Sequence, residues 1–244
     1  MGDYLKTFLD LFYPRFCLHC NANLNDSREV HLCCDCKRKI PYVNNTHCIR
    51  CGTRLGPYIP TTEEGCSICR EKAFHYDVLI SATYYDGAIK TMIHKFKYSR
   101  QKHLSSVLDK IVRTQEKLEE RIPNIDVIIP VPLYWLKKLH RGFNQSELLA
   151  FGIQKHFLKP IETKILCRIK NTASQTQLSK RQRRINIHNA FLVKYPKLVR
   201  GKNILLVDDV LTTGITASEC SRKLKEAGAK SIVLLVLAVA GHNN

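Results

Sequence analysis

The segment Leu205–Thr216, LLVDDVLTTGIT, gathers residue types that a single reaction site can use together. Its apolar start reads as a buried strand, with Asp208 and Asp209 at the carboxyl end. Val210 and Leu211 then lead into a hydroxyl-rich turn, Thr212, Thr213, Gly214, Ile215 and Thr216, that opens a helix. In an open α/β sheet, ligands gather at that end of the strands. A small turn at a helix N-terminus directs successive backbone N–H groups outward, which is what a phosphate monoester needs. Adjacent carboxylates at a strand tip can hold the two hydroxyls of a ribose, so turn and acids together describe a cradle for a ribose 5-phosphate. The plainer alternative has Asp208 and Asp209 merely capping the next helix, and it does not require the apolar run, the double acid and the T-T-G-x-T turn all at once.

A second chemistry lies in the cysteines. Nine of the eleven fall between Cys17 and Cys69, and eight of these form four C-x2-C pairs: Cys17/Cys20, Cys33/Cys36, Cys48/Cys51 and Cys66/Cys69. A C-x2-C turn lets two thiolates converge on one ion at about 2.3 Å, and two such knuckles complete a closed tetrahedral zinc site. Twelve residues separate the first two pairs and fourteen the last two, spacings that suit two consecutive zinc ribbons. One or two structural Zn2+ ions are therefore expected, with no open position for catalysis. Spacing leaves the pairing of knuckles open, and only the C-x2-C rule selects Cys33 over its neighbour Cys34. A disulfide framework and a redox C-x2-C are the competing readings; the first conflicts with a cytosolic chain and the second needs a thioredoxin-like surrounding. His19, His31 and His47 lie among the knuckles and are read as surface residues rather than ligands.

These groups must be held by elements, and the pattern predicts which. Residues 1–75 read as an amphipathic helix, Tyr4 to Phe12, followed by the zinc module. This stretch is short of large apolar residues, so metal would supply folding free energy. Residues 76–244 read as an α/β domain with a mostly parallel sheet covered by helices. Strands are expected at Val78–Tyr85, Val127–Ile129, near Ile165, Asn203–Val207 and Ile232–Val239. Helices are expected at Gly87–Tyr98, Leu104–Glu120, Asn144–Phe157 and Ile215–Ala227, with a proline-rich turn at Pro130–Leu133.

Composition bounds the rest. The 244 residues are 44% hydrophobic and 25% charged, which argues against wholesale disorder. The longest apolar run, the nine residues Ile232–Ala240, is far short of the roughly 18 to 20 that cross a bilayer. With acids at Asp3 and Asp10, the amino-terminal segment lacks a signal-peptide layout, so a cytoplasmic protein is expected, with a peripheral position at the inner membrane face as the variant. Net charge is +18, and the excess is clustered: Thr163–Val207 holds eleven Lys/Arg and no acid, Gly87–Leu108 five and none. Clustered positive charge is the footprint of a polyanion binder, although a solvated basic face has the same composition. Tyr84, Tyr85, Phe96, Tyr98 and Phe143 stand near basic residues and could stack bases, most of them being better read as core.

Leu205–Thr216 resembles the phosphoribosyl pyrophosphate (PRPP) signature of type I phosphoribosyltransferases. Three further stretches resemble one branch of that superfamily, the ComF competence proteins: the four-knuckle cysteine region, PVPL…HRGFNQSELLA over Pro130–Ala150, and RIKNTASQTQLSKRQRRINIHNAF over Arg168–Phe191. The paired Cys33 and Cys34 are a small departure. The resemblance implies a zinc ribbon ahead of a phosphoribosyltransferase-like domain. It implies ribose contacts from Asp208 and Asp209, a 5-phosphate site at Thr212–Thr216, and a pyrophosphate-facing turn at Val131, Pro132 and Leu133 leading to Arg141. The basic stretch holding Lys180, Arg181, Arg183 and Arg184 takes the place of the mobile loop, or contacts a nucleic-acid backbone. Expulsion of pyrophosphate gathers negative charge that Mg2+ and cations such as Arg141 would stabilise, so Asp208, Asp209 and Arg141 are the candidate catalytic residues. The implied partners are PRPP with Mg2+, single-stranded DNA and the DNA-uptake machinery, in natural transformation. The alternatives are a transferase with an unidentified acceptor and a non-catalytic PRPP sensor.

Overall fold

The computed structural model describes residues 15–24, 30–43, 47–56, 65–67, 69–70, 74–99, 101–113, 115–172 and 185–240. The expected helix at Tyr4–Phe12 and the basic residues Lys180, Arg181, Arg183 and Arg184 lie outside them.

A short helix, α1 (Cys34–Arg38), belongs to the cysteine-rich region. From there the chain runs β1 (Val78–Tyr84), α2 (Gly87–Tyr98), α3 (Leu104–Arg113), α4 (Glu116–Arg121), β2 (Val127–Pro130), α5 (Trp135–Arg141) and α6 (Gln145–Phe157). It continues through β3 (Leu166–Arg168), β4 (Phe191–Val193), β5 (Asn203–Leu211), α7 (Ile215–Glu226) and β6 (Ser231–Val239). Four strands form one parallel sheet in the order β1-β6-β5-β2, while β3 and β4 pair as an antiparallel ribbon. The near-continuous apolar sequences of β5 and β6 are those of strands covered on both faces.

Side chains alternate across these strands and sort into two cores. Leu205 and Val207 of β5 and Leu235 and Leu237 of β6 pack against Ile89, Met92 and Phe96 of α2 and Leu149 and Ile153 of α6. Ile204 and Leu206, with Leu234 and Val236, face the other way onto Cys220 and Leu224 of α7 and Phe191 of β4.

Three expectations change. The helix expected over Leu104–Glu120 is two, because Gln115 takes an extended backbone and starts α4. The strand expected to stop at Val207 runs on to Leu211, since β6 keeps pairing with it through Asp208↔Val236, Val210↔Ala238 and Leu211↔Val239. Helix α5 follows the proline-rich turn in a stretch for which no element is expected, and β4 lies in the polar, basic stretch; both are short, and α5 buries no residue, so neither leaves a periodic pattern.

The cysteine-rich region packs onto this frame. Cys17, Leu24, Leu32 and Cys36 share the core of α2 and α3. Backbone bonds join it to β1: Val43 N–H to Ala82 O (3.1 Å), Tyr84 N–H to Pro41 O (2.8 Å) and Leu79 N–H to Ile49 O (2.9 Å). Gly52 closes the fit, since a Cβ there would stand 2.8 Å from Val239 Cγ2 and 3.0 Å from Leu79 Cδ2. Among the described residues no helix is long and apolar enough to cross a membrane.

Candidate functional site

At the carboxyl ends of β2 and β5 lies an open cleft of about 500 Å³. The two acids are met by different helices of the same layer, Asp209 by α2 and Asp208 by α6. Asp209, 8% exposed, turns to the α2 side, where Lys97 Nζ meets its Oδ1 at 2.9 Å. Burial pulls Lys97 downward, but the Asp209 charge, with Asp208 behind it, leaves the ammonium above its ordinary value. Asp208 Oδ1 accepts from Ser146 Oγ at 2.9 Å and from the Asp209 N–H at 2.9 Å. Burial, reinforced by the Asp209 carboxylate, pushes the Asp208 carboxyl up to about 7. Ser146 is placed by the cap of α6. Asn144, 2% exposed, accepts from the Ser146 N–H at 3.2 Å and donates from Nδ2 to Val131 O at 3.0 Å, tying the proline turn to the helix.

Cations line the walls above the acids. Lys97, Lys137, Arg141 and Arg168 all face the cleft. Arg141 Nη1 donates to Gln145 Oε1 at 2.6 Å and its guanidinium lies 5.4 Å from the centre of the Tyr98 ring. Lys137 Nζ donates to Thr172 O at 3.0 Å, and Arg168 bonds the Thr172 hydroxyl. Burial lowers Lys137, and Arg168 and Arg141 push it down further; burial likewise lowers Arg168. Cations that repel one another around an acid pair already held by Lys97 and Ser146 form a site suited to a ligand bearing several negative charges.

The Thr/Gly turn closes one end. Thr212 and Thr216 line the cleft at the N-terminus of α7, where peptide dipoles favour an anion. Gly214 precedes the helix with φ +75°, and a Cβ on it would stand 2.6 Å from Phe74 Cε1. Both the backbone and its neighbour therefore demand glycine.

Of the residues expected from sequence, Val131, Pro132, Leu133, Arg141, Asp208, Asp209, Val210, Thr212 and Thr216 line the cleft together. Leu211 and Gly214 are buried beneath it, and Thr213 and Ile215 stand outside its walls. Sequence reasoning did not single out Lys97, Lys137, Gln145, Ser146 or Arg168 as site residues. Lys97 belongs to the acid-free basic run on α2, which was the available signal. Among the aromatics, Tyr84, Phe96 and Phe143 are core, whereas Tyr85 and Tyr98 face the cleft.

The cysteines form two separate groups, Cys17/Cys20/Cys33/Cys36 and Cys48/Cys51/Cys66/Cys69. Four sulfurs at about 2.3 Å from one ion lie roughly 3.8 Å apart. Here Cys20–Cys33 are 3.7 Å apart, Cys48–Cys69 and Cys51–Cys66 3.6 Å, and Cys66–Cys69 3.8 Å, so the donor sets fit tetrahedral zinc. The Cys51 thiol foremost holds Cys48 down to about 4, and by the same contact Cys51 is pushed up. Cys33 is in the first group, while Cys34 is exposed and opens α1. His47 corrects the reading of surface histidines: it is 3% exposed and bridges to Arg54.

Comparison with known proteins agrees with this architecture. Residues 8–72 match the double zinc ribbon domain and residues 115–243 the phosphoribosyl transferase domain. Competence protein F of Haemophilus influenzae is 31% identical over 94% of this chain and 99% of its own length. The chain belongs to the ComF family of competence proteins, within the phosphoribosyltransferase superfamily. Another relative is DNA utilization protein YhgH of Salmonella typhi, 30% identical over 91% of this chain and 96% of that one. Among solved structures, the chain matches a quarter of the allosteric regulatory enzyme of purine biosynthesis. Identity there is 23% and the TM-score 0.35, covering 57% of this chain and 25% of that one.

Proposed function

We propose that the chain is a PRPP-binding competence protein that handles single-stranded DNA entering the cytoplasm during natural transformation. The observation that carries the ligand is the convergence of Asp208 and Asp209 with Thr212 and Thr216 beneath Lys97, Lys137, Arg141 and Arg168. The acids suit ribose hydroxyls, the α7 N-terminus suits a 5-phosphate, and the cations suit a pyrophosphate. Mg2+ needs only one or two carboxylates besides substrate phosphates, and Asp208 and Asp209 would supply them through water. In this reading residues 1–75 stabilise and orient, and residues 76–244 bind.

The DNA role is supported by the names of relatives and by α5, which borders the cleft. Trp135 is 60% and Leu139 73% exposed on a helix that also carries Lys137, Lys138, His140 and Arg141. Exposed aromatic area interleaved with cations is what stacks unpaired bases and tracks a backbone. A second reading, transfer of the phosphoribosyl group to an acceptor, is favoured by exposed Tyr98 under Arg141 at the rim, a plane on which a base can lie.

Calorimetric titration of the zinc-loaded chain with PRPP and Mg2+, beside the double variant Asp208→Asn/Asp209→Asn, tests the cradle. Binding by the native chain and its loss in the variant are expected. Equal binding by both would place the ligand elsewhere, and no binding by the native chain would leave the fold as scaffold.

A further inference from the structure

A series of contacts runs from the second four-cysteine group to the Thr/Gly turn, and neither metal ligation nor the cleft lining uses it. Arg50 sits between Cys48 and Cys51 in the knuckle, with its backbone N–H directed at Cys48 Sγ at 3.4 Å. Its guanidinium donates from Nη2 to Phe74 O at 2.9 Å, and Arg50 O accepts from the Tyr76 hydroxyl at 2.8 Å. Phe74 and Tyr76 stack with ring centres 5.1 Å apart. Phe74 also covers Gly214, leaving no room there for a Cβ. The next residue, His75, reaches the first turn of α7: its N–H donates to Ser218 Oγ at 3.3 Å and its Nδ1 lies 2.9 Å from the same oxygen.

We infer that the second zinc ribbon is the positioning element of the phosphate turn, with Phe74 and His75 as the residues that hold it. The glycine at the centre of the turn has no side chain to hold it and is the residue with most freedom to lose. A misplacement of about 1 Å in such a site costs about a hundredfold in rate. Contacts from outside the turn therefore add to the preorganisation that Ile215 supplies by packing on the core. The Phe74 ring covers Gly214, and His75 is bonded to Ser218 in the helix that follows. Both residues are anchored through Arg50 to a knuckle that metal makes rigid. On this account the second ribbon is part of the binding apparatus, whereas the first serves the core of α2 and α3.

The ligand part of this inference rests on the PRPP reading; the positional part does not. The test uses the full zinc-loaded chain, with hydrogen exchange followed over residues 212–218 and PRPP/Mg2+ titrated in parallel. Phe74→Ala is expected to speed exchange of those amides about tenfold and to weaken PRPP binding about tenfold, with zinc content equal to that of the native chain. Phe74→Leu, which keeps apolar bulk over Gly214, should recover most of both. His75→Ala should move exchange in the same direction by a smaller factor, and it decides the matter if Phe74→Ala fails to fold. Native exchange over 212–218 in the alanine variants overturns the inference. A native chain that ignores PRPP overturns the ligand reading and leaves the exchange result to decide this one.

Discussion

Asp208 is a carboxyl whose surroundings oppose its ionisation. Burial and the Asp209 charge raise it from 3.8 to about 7, and the Lys97 charge, the Asp209 N–H and the Ser146 hydroxyl only partly offset them. Because the folded value exceeds the unfolded one, the native chain binds the extra proton between about pH 4 and 7. Stability attributable to this group therefore falls as pH rises through that window and levels off above it. The whole displacement corresponds to at most about 4 kcal/mol. Asp208→Asn keeps an oxygen for both donors and removes the charge. It should raise the melting temperature above that of the native chain at pH 8, with the difference shrinking toward pH 4. A variant equally or less stable at pH 8 would show that the native carboxylate bears no such cost. The same variant is expected to lose the ligand, the usual exchange of stability for function at a site. Asp208 and Asp209 were legible in the sequence because a double acid after an apolar strand is a local signal. Lys97 and Arg168 were not, because α2 and β3 are brought to the acids only by packing, which no spacing rule encodes.

The two ribbons differ in what they hold. Cys17 and Cys36 are embedded in the same apolar cluster as Ile89, Met92 and Leu108, so the first metal staples the main core. Stripping zinc with a strong chelator is therefore expected to move one cooperative endotherm downward in scanning calorimetry. An upper transition persisting at the native temperature would show that residues 76–244 melt independently of the metal. Four C-x2-C pairs made the ribbons legible, and the long apolar or amphipathic segments β5, β6, α2 and α7 were placed within a few residues. What escaped was short or set by partners. Helix α5 buries nothing, β4 exists through its pairing with β3, and the extra residues of β5 exist because β6 continues alongside.

At the scale of the whole molecule, charge dominates. A net +18 on 244 residues, with a cleft bearing four cations and a basic helix at its mouth, should draw a single strand largely by counterion release. Engagement of about four phosphates predicts an affinity loss of roughly fiftyfold between 50 and 200 mM salt. Fluorescence anisotropy with a labelled oligonucleotide of mixed sequence reads this directly, and a loss of less than about threefold would exclude an electrostatic grip. The charge was countable from sequence. Its concentration over one cleft was not, because α2, α5, α6 and β3 meet there only in the folded chain.

The bonds from Pro41, Val43 and Ile49 to β1 carry a consequence of another kind. β1 is the outermost strand on its side of the sheet, and a bare outer strand is a template on which further copies can assemble. The ribbon backbone occupies that row of donors and acceptors at Leu79, Ala82 and Tyr84. Metal starvation is expected to uncover that adhesive border, so chains made without zinc should self-associate, which light scattering of the zinc-free chain would read.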